Sequence, residues 1–376
     1  MTTIRFKPVA MAAAVALALS VAACGAANEE PAESGSSNPN AAATEAAVEL
    51  SGNIAGAGAS SQEAAMQAWI AGFQDQNPDA TVSYDPVGSG GGREQFVAGG
   101  TAFGGTDSHL EEDELTGAQK RCGGADNLVE IPTYVSPIAM IYNLDGVDGL
   151  QLSPETLAKI FKQEITNWND PAIAKDNPDA KLPDQRITVV NRSDESGTTE
   201  NFQQYLAAVA PSVWDFEVDG NWPVKGGEAA EGTSGVVEAV KAGKGAIGYA
   251  DASQAGDLGK ATVKVGDKFV EPSPEAAAKI LEESKETDDP GKYVLTYDLN
   301  RKTDAEGTYP IVLTSYEIAC TKYDDKSQAD LVKGLLGYIV SPKGQQAAAK
   351  NAGSAPLSDS IQQKVQPAVE AIGSAN

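Results

Sequence analysis

Histidine is nearly missing from this chain: His109 is the single one in 376 residues. A serine nucleophile needs a base within reach, and no Gly-x-Ser-x-Gly elbow surrounds Ser60, Ser89 or Ser196. A two-metal phosphatase would draw on more histidine and clustered aspartate than this pattern offers. The three cysteines include no Cys-x-x-Cys pair, so no metal site is expected. Gly56-x-Gly58 lacks the third glycine of a dinucleotide fingerprint, and no glycine turn ends in Gly-Lys-Ser/Thr, so no nucleotide cofactor is expected either. Positive charge is also short: 28 Lys and Arg against 53 Asp and Glu give a formal charge of −25. Such a surface repels nucleic acid and anionic lipid. Any anion site must therefore work through donors in contact with its ligand. No fixed-period repeat is visible.

The N-terminus carries an address. Arg5 and Lys7 precede the apolar run 9–19, which ends in Ser20-Val21-Ala22-Ala23-Cys24. A charged start, a short hydrophobic stretch and small residues read as a signal peptide over residues 1–23, too short for a membrane span of roughly 20 apolar residues. Small residues before Cys24 resemble a bacterial lipobox, with Cys24 lipidated; the alternative is an ordinary secretory signal with a chance cysteine. No later segment is apolar and long enough to cross a bilayer. Residues 24–49 are Ala, Glu, Asn, Ser and Pro with almost no large apolar side chain, and read as a flexible tether. Fully extended it would reach about 80 Å. The remaining ~330 residues exceed what one core usually supports, so two domains are expected. With Cys24 lipidated, Cys122 and Cys320 form an even pair in an oxidising compartment, and a disulfide is expected rather than two buried thiols.

The richest stretch is Asn191-Arg192-Ser193-Asp194-Glu195-Ser196-Gly197-Thr198-Thr199. Apolar residues at Phe202, Tyr205, Leu206 and Val209 follow with the spacing of one helical face, so Ser196-Gly197-Thr198 opens a helix. Unpaired N–H groups and the positive end of the helix dipole meet two hydroxyls and a guanidinium there. A tetrahedral oxyanion fits that set. Two further glycine turns share the logic. Gly56-Ala57-Gly58-Ala59-Ser60-Ser61 leads to a helix whose start is expected near Ser60, from the capping-box spacing of Ser60 and Glu63. Gly88-Ser89-Gly90-Gly91-Gly92 is expected to open a second helix at Arg93 or Glu94. Each turn alone is equally well a tight strand-to-helix connection; three together favour a shared anion site. Strand-like runs at 80–84, 187–190, 293–297 and 311–313 alternate with helical patterns at 62–73, 94–97, 154–161, 199–209 and 331–340, an α/β pattern.

These turns, with Phe103-Gly104-Gly105-Thr106-Asp107, Ile165-Thr166-Asn167-Trp168-Asn169-Asp170-Pro171 and Gly245-Ala246-Ile247-Gly248-Tyr249, occur in the order found in the phosphate-binding proteins of bacterial phosphate ABC importers. The chain resembles an actinobacterial lipoprotein member from about Leu50 to its end. The resemblance implies a type II periplasmic-binding-protein fold, two lobes around a ligand cleft with two crossover hinges. The crossings are expected near 133–136 and 309–315, with lobe one formed by residues 50–134 and 310–376 and lobe two by 135–309. Ser60 would donate its hydroxyl and N–H to phosphate, Ser61 its N–H, Ser89 its hydroxyl, Arg192 its guanidinium, and Ser196, Gly197 and Thr198 the helix N-terminus. Asp194 would hold Arg192. The Ser60-Ser61 pair departs modestly from the family, which often has Thr and an apolar or aromatic residue there.

Asp107 would be the one acceptor. Hydrogen phosphate still carries a proton at neutral pH and can donate it to a carboxylate; sulfate carries none and would set lone pairs against lone pairs. Without the resemblance, Asp107 reads as a helix cap before the acidic run 111–114. The resemblance further implies a monomer held by its lipid at the extracytoplasmic face of the cell membrane, delivering phosphate to permease subunits. A surface phosphate sensor or scavenger would share the site, and a phosphoester hydrolase is the weaker alternative.

Overall fold

The computed structural model describes residues 50–110, 112–288 and 291–375. The signal peptide, Cys24 and the tether lie outside the described residues. Strands and helices alternate. β1 (Gly52–Gly58), α1 (Glu63–Gln74), β2 (Ala80–Asp85), α2 (Ser89–Val97), β3 (Phe103–Thr106) and α3 (Glu112–Arg121) lead to the 16-residue β4 (Leu128–Asn143). There follow β5 (Gln151–Leu152), α4 (Pro154–Phe161), α5 (Pro171–Asp176), β6 (Thr188–Arg192), α6 (Gly197–Val209), β7 (Glu228–Ala230), α7 (Gly232–Ala242), β8 (Ala246–Asp251) and β9 (Gly259–Val265). A long return strand, Val312–Cys320, precedes the closing helices Lys326–Val340, Pro342–Ala352 and Asp359–Glu370.

This is a two-lobed α/β fold, and β4 belongs to both halves. Its residues 128–137 pair antiparallel with the return strand, which also pairs with β3, beside β1 and β2. From Ile138 onward β4 pairs instead with β8, beside β6 and β7. Edge strand β2 buries Ala80 and Val82 and exposes the residues between, whereas fifteen of the sixteen β4 residues are buried. Covered on both faces, β4 shows no alternation to read. Pro137 lies at the change of partner, and the return strand's Val312 pairs with it.

Each half has its own aromatic core. Trp69 stands edge-on to Tyr134 and donates its indole N–H to the Gly344 carbonyl at 2.9 Å, which docks α1 on the closing helices. Phe161, Phe202, Trp222 and Tyr249 cluster beneath α6, with Phe161 and Phe202 centroids 4.8 Å apart. Truncating any such buried ring typically costs about 3–5 kcal/mol. The disulfide Cys122–Cys320 forms, with Cα atoms 5.2 Å apart, and ties the end of α3 to the return strand across 198 residues of sequence.

Three local expectations are corrected. Ser60 and Glu63 do not form a capping box: α1 begins at Glu63 after Gln62, with no side-chain cap, because the Ser60 hydroxyl is engaged by Thr233. The helix expected at Arg93 or Glu94 begins at Ser89, so its glycines are helical. Their poor propensity is outweighed by packing: a Cβ on Gly92 would stand 2.4 Å from the Gly58 Cα. The strand expected over 293–297 is two fragments, Tyr293–Val294 and Tyr297–Asp298.

Candidate functional site

The turns that drew notice in the sequence sit at the carboxyl ends of parallel strands, where open α/β sheets place ligands. β1 delivers Ser60 and Ser61, β3 delivers Asp107, β6 ends at Arg192, and α2 starts at Ser89. Ser60, Ser61, Ser89, Asp107, Arg192, Ser196 and Thr198 are each at most 4% exposed.

Asp107 is the centre. Its carboxylate accepts the Ser61 hydroxyl at 2.6 and 2.8 Å, the Ser315 hydroxyl at 2.7 Å and the Thr198 hydroxyl at 2.8 Å. Its backbone N–H donates to Ser89 Oγ at 3.1 Å, and its carbonyl accepts Asn201 Nδ2 at 2.8 Å. It caps no following helix, since α3 begins only at Glu112. Ser61 was expected to act through its backbone; here its side chain bridges both carboxylate oxygens.

Arg192 is fixed from one side. Its Nε donates to Asp194 Oδ1 at 2.8 Å and its Nη2 to Asp194 Oδ2, while Asp194 Oδ1 also accepts the Gly232 N–H at 3.0 Å. Burial pushes the Asp194 pKa up, but the hydrogen bond and charge of Arg192 outweigh it and hold the carboxyl below its usual range. Asp194 is therefore ionised at neutral pH, and the Arg192 fork stays aimed, with Nη1 making no bond to the described residues. The Arg192 N–H donates to the Tyr249 hydroxyl, which burial pushes up to about 12.

α6 supplies the third wall. Ser196 is its N-cap, accepting the Thr199 N–H at 3.2 Å, so the N–H groups of the first turn face outward. Gly197 is pressed against the opposite lobe: a Cβ there would meet Asp107 Cβ and Ser89 Oγ at 2.7 Å each. Gly88 likewise lies on Asp194, where a Cβ would stand 2.6 Å from Oδ2. The two halves of the cleft are thus in contact: Thr198 and Asn201 of α6 reach Asp107 at 2.8 Å each, and Ser60 reaches across to Thr233 at 3.1 Å.

Several participants escaped sequence reasoning. Ser315 lies where a register shift between Ser315 and Tyr316 leaves Thr133 opposite no partner, a bulge that re-aims side chains. Thr233 stands in Gly232-Thr233-Ser234-Gly235, one more helix-opening turn rich in glycine and hydroxyls, and that signal was legible. Gln254 donates to the carbonyls of Ser60 and Ser61 at 2.8 and 3.1 Å. Arg93, 5% exposed, ties Glu114 of α3 to Glu195 at 2.8 and 2.7 Å. The described residues contain no cluster of metal-ligating side chains.

Two lobes closed on a buried, hydroxyl-lined carboxylate and an oriented guanidinium define a solute-binding protein for a small polar ligand. Residues 36–343 match the model of the PBP superfamily domain. The chain is 36% identical over 360 residues to the phosphate-binding protein PstS 3 of Mycobacterium tuberculosis, covering 94% of this chain and 95% of that one. It is 34% identical over 287 residues to the phosphate-binding protein PstS of Xylella fastidiosa, covering 73% and 74%. The fold matches a high-affinity periplasmic phosphate-binding protein bound with phosphate, at a TM-score of 0.68 and 21% identity over 84% of this chain and 93% of that one. It also matches the phosphate-binding protein of Stenotrophomonas maltophilia, at 0.67 and 19% over 84% and 94%. The chain belongs to the PstS family of phosphate-binding proteins within the PBP superfamily.

Proposed function

We propose that the protein binds inorganic phosphate outside the cytoplasm and delivers it to the membrane subunits of a phosphate ABC importer, without catalysing a reaction. The observation that carries this reading is the buried Asp107 carboxylate bonded to Thr198 in the first turn of α6, one acceptor among hydroxyl donors, with the buried Arg192 fork held by Asp194 at the end of β6. Ser60, Ser61, Ser89, Ser196, Gly197 and Thr198 donate to phosphate oxygens, Arg192 adds the charge, and Asp107 takes the phosphate proton. The Ser61 hydroxyl, which bridges both Asp107 oxygens, swings to the ligand and yields its place to that proton. Asp194 keeps Arg192 aimed.

Lobe one comprises residues 50–134 and 310–376, and lobe two residues 135–309; the change of β4 partner between Pro137 and Ile138 supports the first crossing, while Tyr293 and Val294 pair back onto Val129 and Glu130 of lobe one. Phosphate bridges the lobes and favours the closed state in proportion to its differential affinity. Cys24 carries the lipid and residues 24–49 the reach. Calorimetry with phosphate and then sulfate, on protein stripped of endogenous ligand, tests the reading: saturable heat with phosphate and none with sulfate is expected, and the reverse would overturn it. Cys24→Ala should release the protein from membranes with phosphate binding intact.

A further inference from the structure

Arg93 of α2 is fixed by its own half of the molecule. Its Nε donates to Glu114 of α3 at 2.8 Å, and its Nη1 to the hydroxyls of Thr106 and Ser108, the residues on either side of Asp107, at 2.9 and 3.1 Å. Burial pulls the guanidinium pKa down, but Glu114, then Glu195 and Glu200, more than offset it. The group is therefore a cation, already aimed and already paired once before anything is asked of the other half.

Nη2 is left over, and it crosses the cleft to Glu195 Oε1 at 2.7 Å. Glu195 lies in the turn from β6 to α6, beside the cap Ser196. Its side chain is 44% exposed and occupies a slot cleared of side chains. A Cβ on Gly90 of α2 would stand 2.4 Å from its Cδ, and one on Gly220 would stand 2.8 Å from its Cγ. The bonds from Thr198 to Asp107 and from Ser60 to Thr233 also cross the cleft, but they use residues proposed to hold phosphate and must rearrange when it arrives. The Arg93–Glu195 pair uses none of those residues. It survives ligand entry and breaks only when the halves part.

We infer that the Arg93–Glu195 ion pair is the latch of the closed cleft, and that Glu195 is a positioning residue which sets how long phosphate is held without touching it. The inference rests on the phosphate reading above for its ligand, and on the geometry of the two halves for its mechanism. A ligand that favours the closed state is released no faster than that state opens, so a bond made only on closure adds to retention.

The test is phosphate calorimetry and stopped-flow release on ligand-stripped parent, Glu195→Gln, Glu195→Ala and Gly90→Ala. If only the electrostatic field mattered, removing a negative charge next to Ser196 would tighten phosphate binding. The latch requires the opposite sign: affinity weaker by about three- to thirtyfold, seen as faster release, between the ranges of exposed and buried pairs. Glu195→Ala should lose at least as much as Glu195→Gln, whose amide oxygen still accepts from Arg93. Thermal stability of the ligand-free protein should hardly move, because Arg93 keeps Glu114. Gly90→Ala raises helix propensity but pushes the Glu195 carboxylate aside, so it should weaken phosphate in the parent and have no effect in the Glu195→Ala background. Unchanged or tighter binding in both Glu195 variants, or a Gly90→Ala loss that persists without Glu195, would overturn the inference. Should the parent give no heat with phosphate, the functional reading fails separately, and X-ray scattering of ligand-free protein decides the latch. A radius of gyration no larger in Glu195→Ala than in the parent would then refute it.

Discussion

Replacing Asp107 by asparagine should alter which anion the cleft accepts more than how well the protein folds. Three hydroxyls converge on this carboxylate, at 2.6 to 2.8 Å, and each can rotate to another acceptor once phosphate arrives. Asparagine keeps one oxygen and replaces the other by an amide that donates. Phosphate then loses a charge-assisted bond worth about 1.5–3 kcal/mol, roughly a 10- to 150-fold loss of affinity at most. Sulfate loses nothing and gains a donor, so the phosphate-to-sulfate ratio should fall at least about tenfold. Asp107→Ala should also lower the ratio, because it removes the repulsion of sulfate without adding a donor. The assay is competition calorimetry on ligand-stripped parent and both variants, at one pH and one ionic strength. Should all three proteins exclude sulfate equally, Asp107 is a structural hub for its hydroxyls, and the argument from the phosphate proton fails.

Arg192→Ala removes one partner of a buried, charged hydrogen-bond set, a loss of roughly 2–5 kcal/mol, so phosphate affinity should drop about 30-fold to several thousandfold; under threefold would sink the role. Gly197→Ala places a methyl 2.7 Å from Asp107 Cβ and should hold the lobes ajar, weakening phosphate at least about tenfold at nearly unchanged thermal stability, with a larger radius of gyration in phosphate by X-ray scattering. An unchanged radius and affinity would show that the contact is not needed for closure. Asp251, buried and hydrogen-bonded to Tyr134 at 3.1 and 3.2 Å, is raised by burial to about 6. Its folded pKa lies above the unfolded value of about 3.9, so its contribution is complete below pH 4 and fades as pH rises through 6, about 3 kcal/mol in all. Urea melts from pH 4 to 7 should show that decline in the parent and not in Asp251→Asn; parallel curves would refute it.

What could be read from the sequence was local. The helix over Pro154–Phe161 has a period, and α6 has both a period and a serine cap, so their positions follow from residues in sight of one another. The cysteine pair followed from parity and compartment. The glycine turns were visible as turns, but where their helices begin was settled by distant backbone: Gly92 is helical because Gly58 lies against it. The hydroxyls that complete the site are remote for the same reason. Ser315 reaches Asp107 across 208 residues, and Thr233 reaches Ser60 across 173. β4 escaped recognition because it is buried on both faces and interrupted by Pro132 and Pro137, two residues that in isolation argue against a central strand.

That strand has a mechanical consequence. Closure between lobes is usually pictured as rotation about loosely held loop residues. Here the chain crosses inside a continuous, paired strand, with Ile138 donating to Ile311 at 2.8 Å and Tyr309 Oη to the Ile138 carbonyl at 2.9 Å. Rotation of the lobes must flex this ribbon as a leaf spring flexes, spreading strain over many peptides and breaking few bonds. Amides of β4 should exchange with solvent slowly whether the cleft is open or shut, while those of the Ser60 and Ser196 turns respond to phosphate. A spring has a rest position, so stiffening or slackening Pro137 would retune affinity from outside the cleft, without touching a residue that meets the ligand.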